Sequence, residues 1–200
     1  MKRFAWILPI IVLGSLWGLV EILPISIPIM IAAGVLFLTL GRRMVNVPGT
    51  SMAMGLVVCL LKTYAINFHL CNLSGILSVA VSFDVLASLV WRQDVRTLPA
   101  AAVRGALTCA LALPLFVGAV LAFRHPYWVA GGWARIVDYA VRDILPALLL
   151  SLVVAPLGLI VARRLTEPQR VPRWVVPIFS AGAVVFAWLA ATVRFVERVL

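Results

Sequence analysis

Residues 98–123 read LPAAAVRGALTCALALPLFVGAVLAF, and this stretch decides the fold class. It carries one charged side chain, Arg104, in an otherwise apolar run. A helix that crosses a bilayer needs about 20 mostly apolar residues, because hydrocarbon offers no partner to an unpaired peptide group. The stretch is therefore predicted to span a membrane as an α-helix.

Comparable apolar stretches fill most of the chain. The 200 residues are 64% hydrophobic and 12% charged, whereas a soluble domain has about 25% charged residues. This composition excludes an ordinary soluble domain, a disordered chain and a secreted scaffold. We predict an all-α, polytopic membrane bundle in a single domain (1–200), with six core transmembrane helices plus a C-terminal seventh. The predicted spans are 4–23, 25–40, 51–71, 74–91, 98–123, 145–165 and 174–193.

The basic residues predict an orientation. Seventeen Lys and Arg against seven Asp and Glu give a formal net charge of +10, and in so apolar a chain this charge indicates cytoplasmic anchoring rather than nucleic-acid binding. A cytoplasmic N-terminus puts ten of the seventeen inside: Lys2, Arg3, Arg42, Arg43, Arg92, Arg96, Arg163, Arg164, Arg170 and Arg173. An odd number of spans then leaves Arg194 and Arg198 outside, against the rule, and the alternative is a seventh span that lies partly in the interface.

The connection at 124–144 is rich in aromatic residues, among them Tyr127, Trp128, Trp133 and Tyr139. Trp and Tyr favour the headgroup region of a membrane, so an aromatic belt explains the composition. The alternative is a lid over a ligand pocket.

Three ionisable residues stand out within the predicted spans, namely Glu21, Lys62 and Asp84. Each such group costs at least about 2.5–3.5 kcal/mol to insert, so each needs a partner or a function. Counted from a turn near Asn72, Lys62 and Asp84 lie at matched depths on consecutive helices. They are predicted to form a buried ion pair, or else the charged floor of a binding cavity.

A polar pocket is predicted near the outer end of the first span. Glu21 lies about one turn from that end, at a depth similar to Asn67, His69 and Cys71 on the third span. A metal site is not predicted, because no HxxxH or CxxC spacing supports one. The three cysteines likewise do not indicate a disulfide framework.

Gly14 and Gly18 form a GxxxG pattern in the first span. Small residues let a second helix approach closely, which is how helices associate in lipid. The predicted contact is either a helix of the same bundle or a partner protein.

From the first span through the sixth, the chain resembles the substrate-binding S components of energy-coupling-factor transporters. The resemblance rests on Gly14 and Gly18, on a short second span with a basic turn, and on the segment VPGTSMAMG at 47–55. Polar-interrupted third and fourth spans follow, and the pattern closes with ILPA at 144–147, PLG at 156–158 and two arginines at 163–164.

This resemblance implies a six-helix bundle in a bacterial cytoplasmic membrane that captures a vitamin-like nutrient from outside. It further implies membrane scaffold and ATPase subunits as partners, no cofactor and no covalent chemistry, with Gly14 and Gly18 as the scaffold contact. Together with the polar residues noted above, the expected solute-binding residues are Glu21, Asn67, His69, Asn72, Asp84, Trp128 and Trp133.

Two other functions stay open at this point. GLVEILPIS at 18–26 and PGTS at 48–51 look like two segments of bacterial undecaprenyl-pyrophosphate phosphatases. That resemblance would make Glu21 a catalytic carboxylate and Ser26 a phosphate contact, although Met52 replaces an arginine of that family and its first-motif histidine is missing. The third alternative is a membrane subunit that serves assembly and binds no solute.

Overall fold

The computed structural model describes residues 6–65, 69–90, 97–166 and 175–200. Within these ranges it contains eight α-helices and no strand, which confirms the predicted all-α bundle. The helices are α1 (Ile7–Ile22), α2 (Ile27–Met44), α3 (Thr50–Ala65), α4 (Leu70–Val85), α5 (Leu98–Ala122), α6 (Pro126–Tyr139), α7 (Leu145–Thr166) and α8 (Val175–Val199). π-helical turns extend α4 through Leu86–Val90 and join α6 to α7 through Ala140–Ile144.

Five helical segments are long and apolar enough to cross a membrane, namely Ile27–Met44, Leu70–Val90, Leu98–Ala122, Pro126–Leu165 and Ser180–Glu197. Two shorter apolar helices, Ile7–Ile22 and Thr50–Ala65, complete the set. The outward surface carries many large apolar side chains, such as Leu60, Leu89 and Phe186. Such a surface suits lipid rather than water.

Six helices form a closed ring. Going round it, α1 packs on α3, α3 on α4, α4 on α5, α5 on α7, α7 on α2 and α2 on α1. The remaining long helix, α8, packs outside this ring against α1 and α3. The architecture is therefore six core helices plus a C-terminal seventh.

Gly14 and Gly18 lie inside the bundle, where α1 meets α3. A Cβ atom at Gly14 would come within 2.9 Å of the Val57 Cβ, and one at Gly18 within 3.3 Å of the Leu61 Cβ. The two glycines thus let α1 and α3 approach closely. The resemblance implies that these glycines contact a scaffold subunit. This expectation is wrong, because α3 covers the face of α1 that carries them.

The connection predicted at 124–144 is largely helical. Pro126 opens α6 at a position where its missing N–H is no loss. The helix breaks at Gly132, whose φ of 54° is a conformation that glycine adopts without strain. After this break the helix continues as one rod through the π-turn into α7. The aromatic side chains of this segment are therefore carried by a helix that packs against the ring.

Candidate functional site

A cavity of about 700 Å³ opens at the end of the bundle where α1 and α3 end and α2 and α4 begin. Its volume lies within the range of about 300–1,000 Å³ that is usual for small-molecule sites. Most of its wall is apolar, with a few polar groups. The side chains that define its chemistry are Trp17, Glu21, Lys62, Asn72, Phe116, Trp128, Tyr139, Arg194 and Glu197.

One ion pair forms the inner polar wall of the cavity. Lys62 Nζ on α3 donates to Glu21 Oε2 on α1 at 2.6 Å, and the side chains are only 10% and 8% exposed. Trp17 Nε1 donates to the other oxygen, Glu21 Oε1, at 3.3 Å. Both carboxylate oxygens are thus occupied, while Glu21 uses one of the three N–H donors of the ammonium.

Three aromatic rings also line the cavity. Trp128 meets Phe116 edge to face at 5.0 Å and Tyr139 at 5.3 Å between ring centroids, and Phe116 lies 5.1 Å from Tyr139. Edge-to-face contacts at these distances are favourable, so the cluster holds α6 against α5. The cavity is thus lined by an aromatic cluster as well as by the buried ion pair.

A second ion pair stands at the rim and comes from α8. Arg194 Nη1 lies 3.2 Å from Glu197 Oε2, and the two side chains are 45% and 58% exposed. Sequence reasoning missed both residues, because the predicted seventh span ended at residue 193 and left them in a tail. Opposite charges three residues apart at the end of an apolar helix were the signal that could have found them.

Of the predicted solute-binding residues, the structure brings Glu21, Asn72 and Trp128 together at the cavity. His69 does not line it: this residue precedes α4 and is exposed. Trp133 does not line it either, because it follows the break at Gly132 and is 78% exposed. Asn67 lies outside the described residues.

The predicted Lys62–Asp84 ion pair is wrong. Lys62 pairs with Glu21, and Asp84 pairs with Arg42 at 3.3 Å between Nη1 and Oδ1. The prediction places the turn between the two helices near Asn72, whereas α3 ends at Ala65 and α4 begins only at Leu70. Lys62 is thus three residues from its helix end and Asp84 fourteen from its own, and eleven residues correspond to about 16 Å of helix.

Asp84 lies at the other end of the bundle, so the prediction that it binds solute is also corrected. Its Oδ2 accepts from the Gly49 N–H at 2.8 Å and its Oδ1 from the Ser51 N–H at 3.3 Å. A carboxylate at a helix N-terminus satisfies free N–H groups and complements the helix dipole. Arg42 donates to Ser88 Oγ at 3.0 Å and also contacts the Val47 carbonyl. The cluster therefore fastens the end of α2 and the start of α3 to α4.

Arg104, the charged residue within α5, is also buried and does not line the cavity. Its guanidinium carbon lies 4.7 Å from the centre of the Phe83 ring, within the range of a cation–π contact. Among the described residues, no group of three or more His, Cys, Asp and Glu side chains could hold a metal ion.

The two segments that look like those of a lipid pyrophosphatase lie far apart. Glu21 contacts Lys62 near the end of α3, whereas Ser51 lies at its start beside Asp84. Their separation along α3 is eleven residues, or about 16 Å.

No protein-family model matches the sequence, and no curated protein or solved structure matches the chain. The geometry of the cavity is thus the guide to function.

Proposed function

We propose that this protein binds a small organic solute in the cavity and serves as the solute-binding subunit of a membrane uptake system. Separate scaffold and ATPase subunits would supply the energy, since the sequence contains no Walker A loop. The observation that carries the proposal is a cavity of about 700 Å³ that is lined by both an aromatic cluster and the buried Lys62–Glu21 pair. An apolar pocket with a few convergent polar groups is typical of ligand sites.

The orientation proposed from the basic residues supports uptake rather than export. Arg42 and Arg43 end α2, and Arg163 and Arg164 end α7, all at the end of the bundle away from the cavity. Positive charge accumulates on the cytoplasmic side of membrane proteins. With these arginines in a bacterial cytoplasm, the cavity faces the exterior and receives solute there.

The enzyme alternative is less well supported by the geometry. A lipid pyrophosphatase would need the carboxylate of Glu21 and the PGTS segment at one phosphate, yet Ser51 of that segment lies about 16 Å along α3 from the residue that contacts Glu21. The assembly alternative leaves a cavity of this size without a use.

Gly75 offers a direct test of solute binding. It lines the cavity, and a Cβ there would meet only the Phe116 ring at 3.9 Å, so Gly75→Leu projects its branched end into the open space. Gly118→Leu is the matched control, because nothing lies within 4 Å of its Cβ position. Protein purified from its host membranes is denatured, and the released small molecules are compared by mass spectrometry.

We expect one compound that is enriched in wild type and in Gly118→Leu but lost from Gly75→Leu. The same compound should change the tryptophan fluorescence of the wild-type protein when it is added back, and Trp128→Phe should reduce that change while Trp133→Phe should not. If all three proteins release the same small molecules in equal amounts, the proposed function is wrong.

A further inference from the structure

The rim ion pair belongs to the one long helix outside the six-helix ring. Arg194 and Glu197 are the cavity residues that α8 contributes, and both are charged. α8 therefore adds a pair of opposite charges to the lining of the cavity.

Contacts along α8 fix the position of this pair. Ala187 and Ala191 are fully buried in a cluster with side chains of α1 and α3. Trp188 Nε1 donates to Ser15 Oγ of α1 at 3.3 Å. Closer to the rim, the Phe195 ring stacks on Tyr64 of α3, 5.1 Å between centroids and 9° between planes. The packing of Phe195, the residue after Arg194, thus fixes the position of the rim pair.

The two ion pairs of the cavity differ in how easily they can exchange partners. Lys62 and Glu21 are buried, close and supported by Trp17, so separating them would strand a charge. Arg194 and Glu197 are about half exposed, and exposed ion pairs hold together only weakly. The groups of an entering solute can therefore replace the rim contact but not the inner one.

Among the residues that the structure describes, the charged side chains that line the cavity are Glu21, Lys62, Arg194 and Glu197, two of each sign. A solute with net charge would bring an uncompensated charge into a largely apolar space, which is unfavourable. The aromatic side chains of the cavity can pack against an aromatic ring of a solute. A guanidinium beside a carboxylate can bind an anionic and a cationic group of one molecule.

We propose that Arg194 and Glu197 determine the specificity of the cavity for an aromatic solute of zero net charge that carries both an anionic and a cationic group. Arg194 binds the anionic group and Glu197 the cationic group, while the ring lies against Trp128 and Phe116. This inference rests on the proposed function, since it requires that the cavity binds a solute.

Three compounds with the same ring test the proposal: phenylalanine (zwitterion), phenethylamine (cation) and 3-phenylpropionate (anion). Binding to the full chain in detergent is measured by thermal shift and by equilibrium dialysis. The variants are Arg194→Gln and Glu197→Gln, with Arg142→Gln as the control, because Arg142 forms an exposed ion pair with Asp138 and neither residue lines the cavity.

In the wild type and in Arg142→Gln, we expect phenylalanine to bind about tenfold more tightly than either singly charged analogue, as the loss of one charged hydrogen bond predicts. Arg194→Gln should abolish the preference over phenethylamine, and Glu197→Gln the preference over 3-phenylpropionate. If the rim ion pair had only a structural role, both variants would weaken the binding of all three compounds alike, and the order of their affinities would not change.

Equal binding of the three compounds, binding of none, or an order that both variants leave unchanged would overturn the proposal. The proposed function has its own test in the compound released by wild type and lost from Gly75→Leu. If such a compound exists but carries a net charge, the specificity inference fails and the solute-binding function stands.

Discussion

The buried Lys62–Glu21 pair offers the sharpest test of the packing of α1 on α3. We consider Lys62→Met and Glu21→Gln, singly and together. Met keeps most of the length of the lysine without its charge, and Gln keeps an acceptor for the indole N–H of Trp17. The exposed pair Arg142–Asp138 is the matched comparison, because its N–O distance is 2.7 Å against 2.6 Å for the buried pair.

The two pairs should differ in energy although their N–O distances are nearly the same. At 2.6 Å and an effective dielectric constant of 20, Coulomb's law gives the buried pair about 6 kcal/mol of attraction, which the loss of hydration largely offsets. Removing one partner leaves a stranded charge, so each single variant should lower the free energy of unfolding by about 3–5 kcal/mol. The side chains of Arg142 and Asp138 are 77% and 56% exposed. Removing either charge should therefore change the free energy of unfolding by less than about 0.5 kcal/mol.

The double variant removes both charges, so its loss should be smaller than that of either single variant, with a coupling energy of at least about 2 kcal/mol. Unfolding in mixed detergent and SDS micelles, followed by tryptophan fluorescence, measures all four free energies. If the losses of the single variants simply add up in the double variant, the pairing of Lys62 with Glu21 is refuted.

Three further outcomes follow from the same structure. Asp84→Asn should lower the free energy of unfolding by about 3 kcal/mol in that assay, because the charge of its buried arginine partner loses its counterion; an unchanged value would contradict the role of this cluster. Gly55→Ala should destabilise by about 1–3 kcal/mol, since its Cβ would lie 2.7 Å from that of the facing alanine of α4, while Gly118→Ala should be neutral or stabilising. In single-cysteine variants, maleimide followed by intact mass should label Cys71, which lines the cavity, well before the buried Cys59, and equal rates would argue against the open cavity.

The fold class was predictable because it depends on composition, which is averaged over long stretches. An apolar run such as 98–123 has one stable solution in lipid, and α5 occupies almost the same residues. The connection at 124–144 was harder, because its glycines and aromatic residues satisfy the pattern of a loop as well as that of a helix broken at Gly132.

The site was only partly predictable, and the reason lies in what each residue type reveals. Glu21 and Lys62 stood out because an ionisable group in an apolar span is expensive. The sequence did not reveal that these two residues pair with each other. An error of a few residues in the position of a helix end changes the expected depth of a side chain by several ångströms. Phe116 and Tyr139 line the cavity, yet in the sequence an inward aromatic residue looks the same as one that faces lipid.

The rod formed by α6 and α7 has a consequence for the route of a solute. About 20 helical residues cross a hydrocarbon layer of about 30 Å, so a layer that begins at Arg163 ends near residue 143. In the orientation proposed above, Tyr139 would stand above the acyl chains, together with Trp128, whose ring lies 5.3 Å from that of Tyr139. A molecule arriving from water would then reach these rings without first crossing the hydrocarbon layer.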